Sequence, residues 1–192
     1  IDMPTIIKDD YINLINANVG NILYTYKIKG FVLSDISNVK ILENYKNNYE
    51  FICNYTFNIF NDLTINELNC NTLTLSPELD ITELQELANN SNISIELIVY
   101  GKIPLMNSNY CLLGKTNKCY QTCAHYCNSS NKFYLKDRFG FLFRVIPDNI
   151  ETVSTIYNSR FTKIDYKDIA VNSVRFDFFD ETIDEINEIL HN

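Results

Sequence analysis

Four apolar runs decide the fold: Phe31-Val32-Leu33, Phe51-Ile52-Cys53, Thr72-Leu73-Thr74-Leu75 and the stretch from Ile93 through Tyr100. They begin about 20 residues apart, and helical signals stand between most of them. Strands alternating with helices at this spacing imply successive right-handed crossovers and a parallel sheet. Short β/α repeats with buried strands suit part of a barrel better than a sandwich. A complete eight-stranded barrel takes about 250 residues, and this chain has 192. The expected fold class is therefore α/β, the C-terminal portion of a TIM-type β/α barrel with about five strands.

Outward from these runs, residues 8–19 place Tyr11, Ile12, Ile15 and Val19 at helical spacing, and Gly20 is positioned to cap that helix. Ser37 is positioned to cap a second helix through Val39, Ile41, Leu42 and Tyr45. Asp80 and Glu83 have capping-box spacing ahead of Leu84 and Leu87, whereas 61–69 is short and a poor helix. Downstream of Gly101 the rhythm breaks. Residues 107–131, rich in Asn, Ser, Cys and Lys, read as a cysteine-bearing loop insertion. Residues 133–145 read as an antiparallel hairpin with Gly140 in its turn. Residues 165–171 suggest a short helix, 174–178 a final strand, and Ile183, Ile186 and Ile189 the packing face of a last helix. The division expected is 1–106 for the β/α repeats, 107–160 for the insertion and hairpin, and 161–192 for the closing strand and helix of the same domain.

With 46% hydrophobic and 13% aromatic residues, the chain can build a real core. No run approaches the roughly 18–20 apolar residues that cross a bilayer, and no basic patch with an apolar run opens the chain. A cytoplasmic protein without membrane partners is expected. The chain starts at Ile1, which reads as a piece of a longer polypeptide whose N-terminal half is a partner in the fold. Its net charge of −8 disfavours attraction of the whole surface to nucleic acid. All four Arg (138, 144, 160 and 175) lie in the last third, where a local basic patch has material.

Of six cysteines, Cys53 and Cys70 stand alone in apolar segments and read as small buried hydrophobes. Cys111, Cys119, Cys123 and Cys127 instead cluster, separated by seven, three and three residues. Without a secretory signal, such clustering points to metal or redox chemistry more than to disulfides. Four thiolates suit zinc or an iron–sulfur cluster on ligand type, although the long first gap is unusual for a zinc ribbon. His125 is a further possible ligand.

Glu96 is the candidate catalytic carboxylate, because it sits inside an apolar strand and is costly to bury without a partner. Glu78 joins it as a candidate. Ser76 and Asn58 follow strands where a barrel places its site, and both are candidate substrate-binding residues. No phosphate loop, zinc-protease helix or serine-hydrolase elbow occurs.

The residues 96–106, Cys111, 134–140 and 156–159, with 58–61 and 74–79 upstream, resemble in this order the collagenase-like peptidase family U32. The similarity covers nearly the whole chain. It implies an α/β barrel with a cysteine-bound iron–sulfur cluster, acting as a peptidase on peptides or in prephenate-linked hydroxylation of a base of transfer or ribosomal RNA. Glu96 and Gly101 occupy the family signature, and Cys111, Cys119 and Cys123 its early cysteines; Arg138, within 134–140, is a further candidate substrate-binding residue. The chain departs from the family at 151–155, where a last cysteine is expected, and at Ile98 and Tyr100. Either Cys127 completes the ligand set or the cluster is lost, and zinc is the alternative metal. The corresponding alternative function is a degenerate, non-catalytic interaction module.

Overall fold

A computed structural model describes residues 1–116, 127, 131–148 and 152–191. The chain forms two compact units, one of 1–99 with 164–176 and the other of 100–163 with 177–192.

The first unit opens with helix α1 (Asp9–Thr25) and then alternates strand and helix: β1 (Gly30–Leu33), α2 (Ile36–Ile41), β2 (Glu50–Cys53), α3 (Asp62–Glu67), β3 (Thr72–Thr74), α4 (Ile81–Asn90) and β4 (Ser94–Gly101). Strands β1 to β4 are parallel neighbours in sequence order. A later strand, β10 (Ser173–Asp177), lies beside β4. This α/β architecture, with a curled parallel sheet, is compatible with a partial β/α barrel. Residues 1–3 add a further parallel bridge, with Asp2 opposite Val32.

Register explains the core. Leu33, Cys53, Leu73 and Ile95 stand opposite one another across β1 to β4, and all four are buried. They face the helices, where Leu84 and Leu87 of α4 and Leu42 beyond α2 complete two apolar clusters. Gly30 is required by close approach: a Cβ there would lie 2.2 Å from the Glu50 carbonyl oxygen.

Several local expectations need correction. Gly20 does not end α1, which continues to Thr25, because a glycine inside a helix costs only about 1 kcal/mol and the helix packs on both sides of it. Asp35, not Ser37, caps α2; its carboxylate accepts from the Ser37 and Asn38 N–H groups, and Asn38 returns the contact to complete a capping box. Residues 165–171 form turns and not a helix, with Asp165 accepting from the Lys167 N–H and Ile169 anchored in the core. Cys53 is a buried core residue as expected, whereas Cys70 is only partly buried against the same cluster. Their thiols share a hydrogen bond, which together with burial pushes the Cys53 thiol up. The expected box at Asp80 and Glu83 is present.

In the second unit, β5 (Pro104–Ser108) and helix α5 (Leu112–Thr116) occupy part of the stretch read as loop. Strands β6 (Phe133–Lys136), β7 (Leu142–Pro147) and β8 (Ser154–Tyr157) join β5 in an antiparallel sheet of order β5-β8-β7-β6. The turn between β6 and β7 holds Gly140 at φ +91°. Strand β9 (Thr162–Lys163) pairs with the end of β4, and α6 (Ile183–His191) follows. Ile183 does not pack as expected, being 77% exposed, whereas Ile186 and Ile189 are half-buried. Among the described residues no helix is long and apolar enough to cross a membrane.

Leu73 is fully buried at the centre of the larger cluster. Leu73→Ala should cost about 2–5 kcal/mol of unfolding free energy, and Asp80→Ala about 1 kcal/mol through loss of its cap. Urea titrations followed by circular dichroism measure both.

Candidate functional site

One residue beyond the buried rung of Leu33, Cys53, Leu73 and Ile95, the side chains turn to the opposite face of the sheet. Those positions are Ser34, Asn54, Thr74 and Glu96, with Thr74 directly opposite Glu96. A polar rung thus follows the apolar one at the ends of β1 to β3. Arg175 of β10 completes it.

The contacts within the rung are specific. Glu96 Oε1 accepts the Thr74 hydroxyl at 2.8 Å and faces Arg175 Nη1 at 3.3 Å. The second terminal nitrogen, Arg175 Nη2, donates to Asn54 Oδ1 at 3.0 Å, and that oxygen also accepts the Tyr55 N–H. The ion pair is largely sheltered, with side-chain exposures of 21% for Arg175 and 14% for Glu96. A sheltered carboxylate requires such compensation, since desolvation is repaid only by close, hydrogen-bonded partners. Ser34 is buried, donating its hydroxyl to the Met3 carbonyl and its N–H to Asn38.

The other sequence candidates divide. Ser76 is buried, and its Oγ accepts the Glu78 N–H at 3.3 Å, while Glu78 itself is exposed. Asn58 is exposed in the left-handed region (φ 54°), ending a short 3-10 turn. Arg138 belongs to the second unit, where it lies over the Phe139 ring. Asn54, Thr74 and Arg175 escaped the sequence reading. A signal was available: Ser34 and Asn54 each directly follow a Phe-led apolar triplet, and Arg175 holds a polar position in the alternating run 174–178.

Of the clustered cysteines, Cys119 and Cys123 lie outside the described residues, as does His125. Cys111 and Cys127 are partly exposed thiols, neither in a disulfide. Cys111 Sγ accepts the Gly114 N–H at 3.2 Å, a kind of bond that tunes cluster thiolates. Both thiols are of the ligand type that a thiolate-bound metal or cluster takes. Among the described residues no three metal-ligating side chains converge.

Tyr100, at a signature position, belongs to the second unit and stacks on Phe161 with centroids 5.3 Å apart. Burial, and then donation of its hydroxyl to Glu181, push its phenol up to about 12. At Asp180, burial opposes ionisation, but Lys132 and Arg144 together outweigh it and hold the carboxyl below the usual carboxylate range.

Two outcomes follow from these contacts. Arg175→Met should destabilise the fold by about 1–3 kcal/mol, since Glu96 loses a sheltered partner; adding Glu96→Met should recover part of that loss in a double-mutant cycle. Because the folded pKa of Tyr100 is raised, its contribution is complete below about pH 10, the unfolded value, and is lost as pH rises toward about 12. Unfolding curves of the parent and Tyr100→Phe should therefore converge over that window.

The sequence model of peptidase family U32 matches residues 3–171, and the chain belongs to that family. No curated protein and no solved structure matches it.

Proposed function

We propose, from its membership of peptidase family U32 and from the polar rung on its parallel sheet, that the chain serves prephenate-linked hydroxylation of an RNA base and not peptide cleavage. The rung carries this reading. Glu96, Arg175, Asn54 and Thr74 interlock by hydrogen bonds, an arrangement suited to positioning a polar, carboxylate-bearing co-substrate such as prephenate. Peptide hydrolysis by a nucleophile needs a hydroxyl or thiol paired with a base free to take its proton. The Thr74 hydroxyl meets Glu96, but the same carboxylate oxygen receives Arg175 and serves as a counter-ion. In this reading Glu96 orients Arg175, while Ser76 and Asn58 border the co-substrate, Glu78 stands beside Ser76, and Arg138 contacts the RNA.

Cys111, Cys119, Cys123 and Cys127 would hold an iron–sulfur cluster, with zinc as the alternative occupant. When bound, the cluster supplies one-electron chemistry. The N-terminal half of the parent protein would contribute further contacts, and the setting is cytoplasmic. The sequence of 151–155, without the expected last cysteine, favours a second reading as a non-catalytic interaction module.

Nucleosides from the RNA of a deletion strain, analysed by mass spectrometry, separate the readings. Loss of a hydroxylated nucleoside, with no peptide cleavage by the intact protein, is expected; unchanged nucleosides would overturn the hydroxylation role. Anaerobically purified intact protein should contain iron and sulfide, and Cys111→Ser should lower both. Protein that stays colourless and iron-free after reconstitution would leave the interaction reading.

A further inference from the structure

The second unit displays a string of exposed aromatic rings, each with a cation over it. The Arg138 guanidinium lies 4.7 Å from the centroid of Phe139. Two residues on, Phe141 lies under Arg160 at 5.3 Å. The next residue after Arg160 is Phe161, whose ring lies 4.6 Å from Lys102 Nζ. Three aromatic–cation pairs are thus linked through adjacent positions of the chain.

These rings are displayed and not buried: Phe139 is 71% exposed, Phe141 42% and Phe161 46%. The display is held in place. Asp137 Oδ1 accepts the N–H groups of both Phe139 and Phe141 at 2.9 Å, and Gly140 adopts the left-handed conformation that the turn needs. Among the described residues none of Lys102, Arg138 and Arg160 forms an ion pair, in contrast to Arg144, which faces Asp180. Charge is distributed unevenly along the sequence. Residues 100–163 contain nine Lys and Arg against three Asp and Glu, and 177–192 of the same unit add six acidic residues, so the attraction is local to these cations and not a property of the whole unit.

We propose that this string binds single-stranded nucleic acid, with bases stacking on Phe139 and Phe141 and phosphates meeting Arg138, Arg160 and Lys102; the Phe161 ring, already stacked on Tyr100, holds that lysine in the track. Stacking on aromatic rings is worth about 1–3 kcal/mol per base, and a cationic track supplies the rest of the affinity. An acidic peptide would use the cations but leave the exposed surfaces of Phe139 and Phe141 unused. The proposal deepens the RNA reading above and rests on it only for the identity of the strand as RNA.

Fluorescence anisotropy with a labelled single-stranded RNA of about 12 nucleotides tests it, with duplex RNA of the same length and a polyglutamate peptide as competitors. The chain should bind the single strand, with the duplex and the peptide competing poorly. Phe139→Ala with Phe141→Ala should weaken binding about 30-fold or more while the melting temperature stays near that of the parent. Arg138→Gln with Arg160→Gln should also lower the slope of log K against log salt, by about 0.7 for each phosphate that is no longer neutralised. Absence of binding, equal competition by polyglutamate, or affinity unchanged in the Phe variants would each overturn the proposal. Retained RNA binding in a protein whose deletion leaves every nucleoside unchanged would sustain this surface and remove only the hydroxylation role.

Discussion

The backbone ladder of β1 to β4 is the constraint on which the first unit depends. Parallel pairing places Leu33, Cys53, Leu73 and Ile95 in line, and alternation of side chains then dictates where each following residue points. The helix-packed face receives the apolar set. The other face receives Ser34, Asn54, Thr74 and Glu96 as a consequence of the same hydrogen bonds. Gly30 belongs to this constraint, because the approach of β1 to β2 leaves no room for a Cβ.

Charge is handled differently in the two units. In the first, Glu96 and Arg175 are sheltered together, and Thr74 and Asn54 each add a hydrogen bond to the pair. Such a set contributes geometric specificity more than net stability, since desolvation offsets most of the attraction. In the second unit, a sheltered Arg144 and a more exposed Lys132 meet Asp180, and Arg144 also lies near the rings of Tyr134 and Phe179. Lys102, Arg138 and Arg160 instead lie over exposed rings without carboxylate partners among the described residues.

The strands of the sheet were legible because apolar runs recur at a regular interval, and the observed β1 to β4 begin within a residue of the sequence positions 31, 51, 72 and 93. Helix ends were less so. Gly20 and Ser37 have the right chemistry for caps, but packing carried α1 past the first, and Asp35 takes the role of the second. Glu96 was legible as a carboxylate in an apolar strand. Its partners were not, because Arg175 is 79 residues from Glu96 and 121 from Asn54 in the chain. Such a pairing exists only once the sheet has formed. Cys53 and Cys70, similarly, meet only through the tertiary fold.

The two-residue period of the strands also bears on how such a sequence can diverge. Helices and connections of the repeats can lengthen or shorten at the surface with modest entropic cost. Removing one residue within Phe51–Cys53 would be different, since a one-residue slip exchanges the two faces of a strand. Asn54 would turn toward Leu73 and Leu84, and an apolar side chain would take its place against Arg175. Insertions and deletions among descendants of this chain should therefore collect between its strands, leaving the four short β segments fixed in length even where their sequences drift.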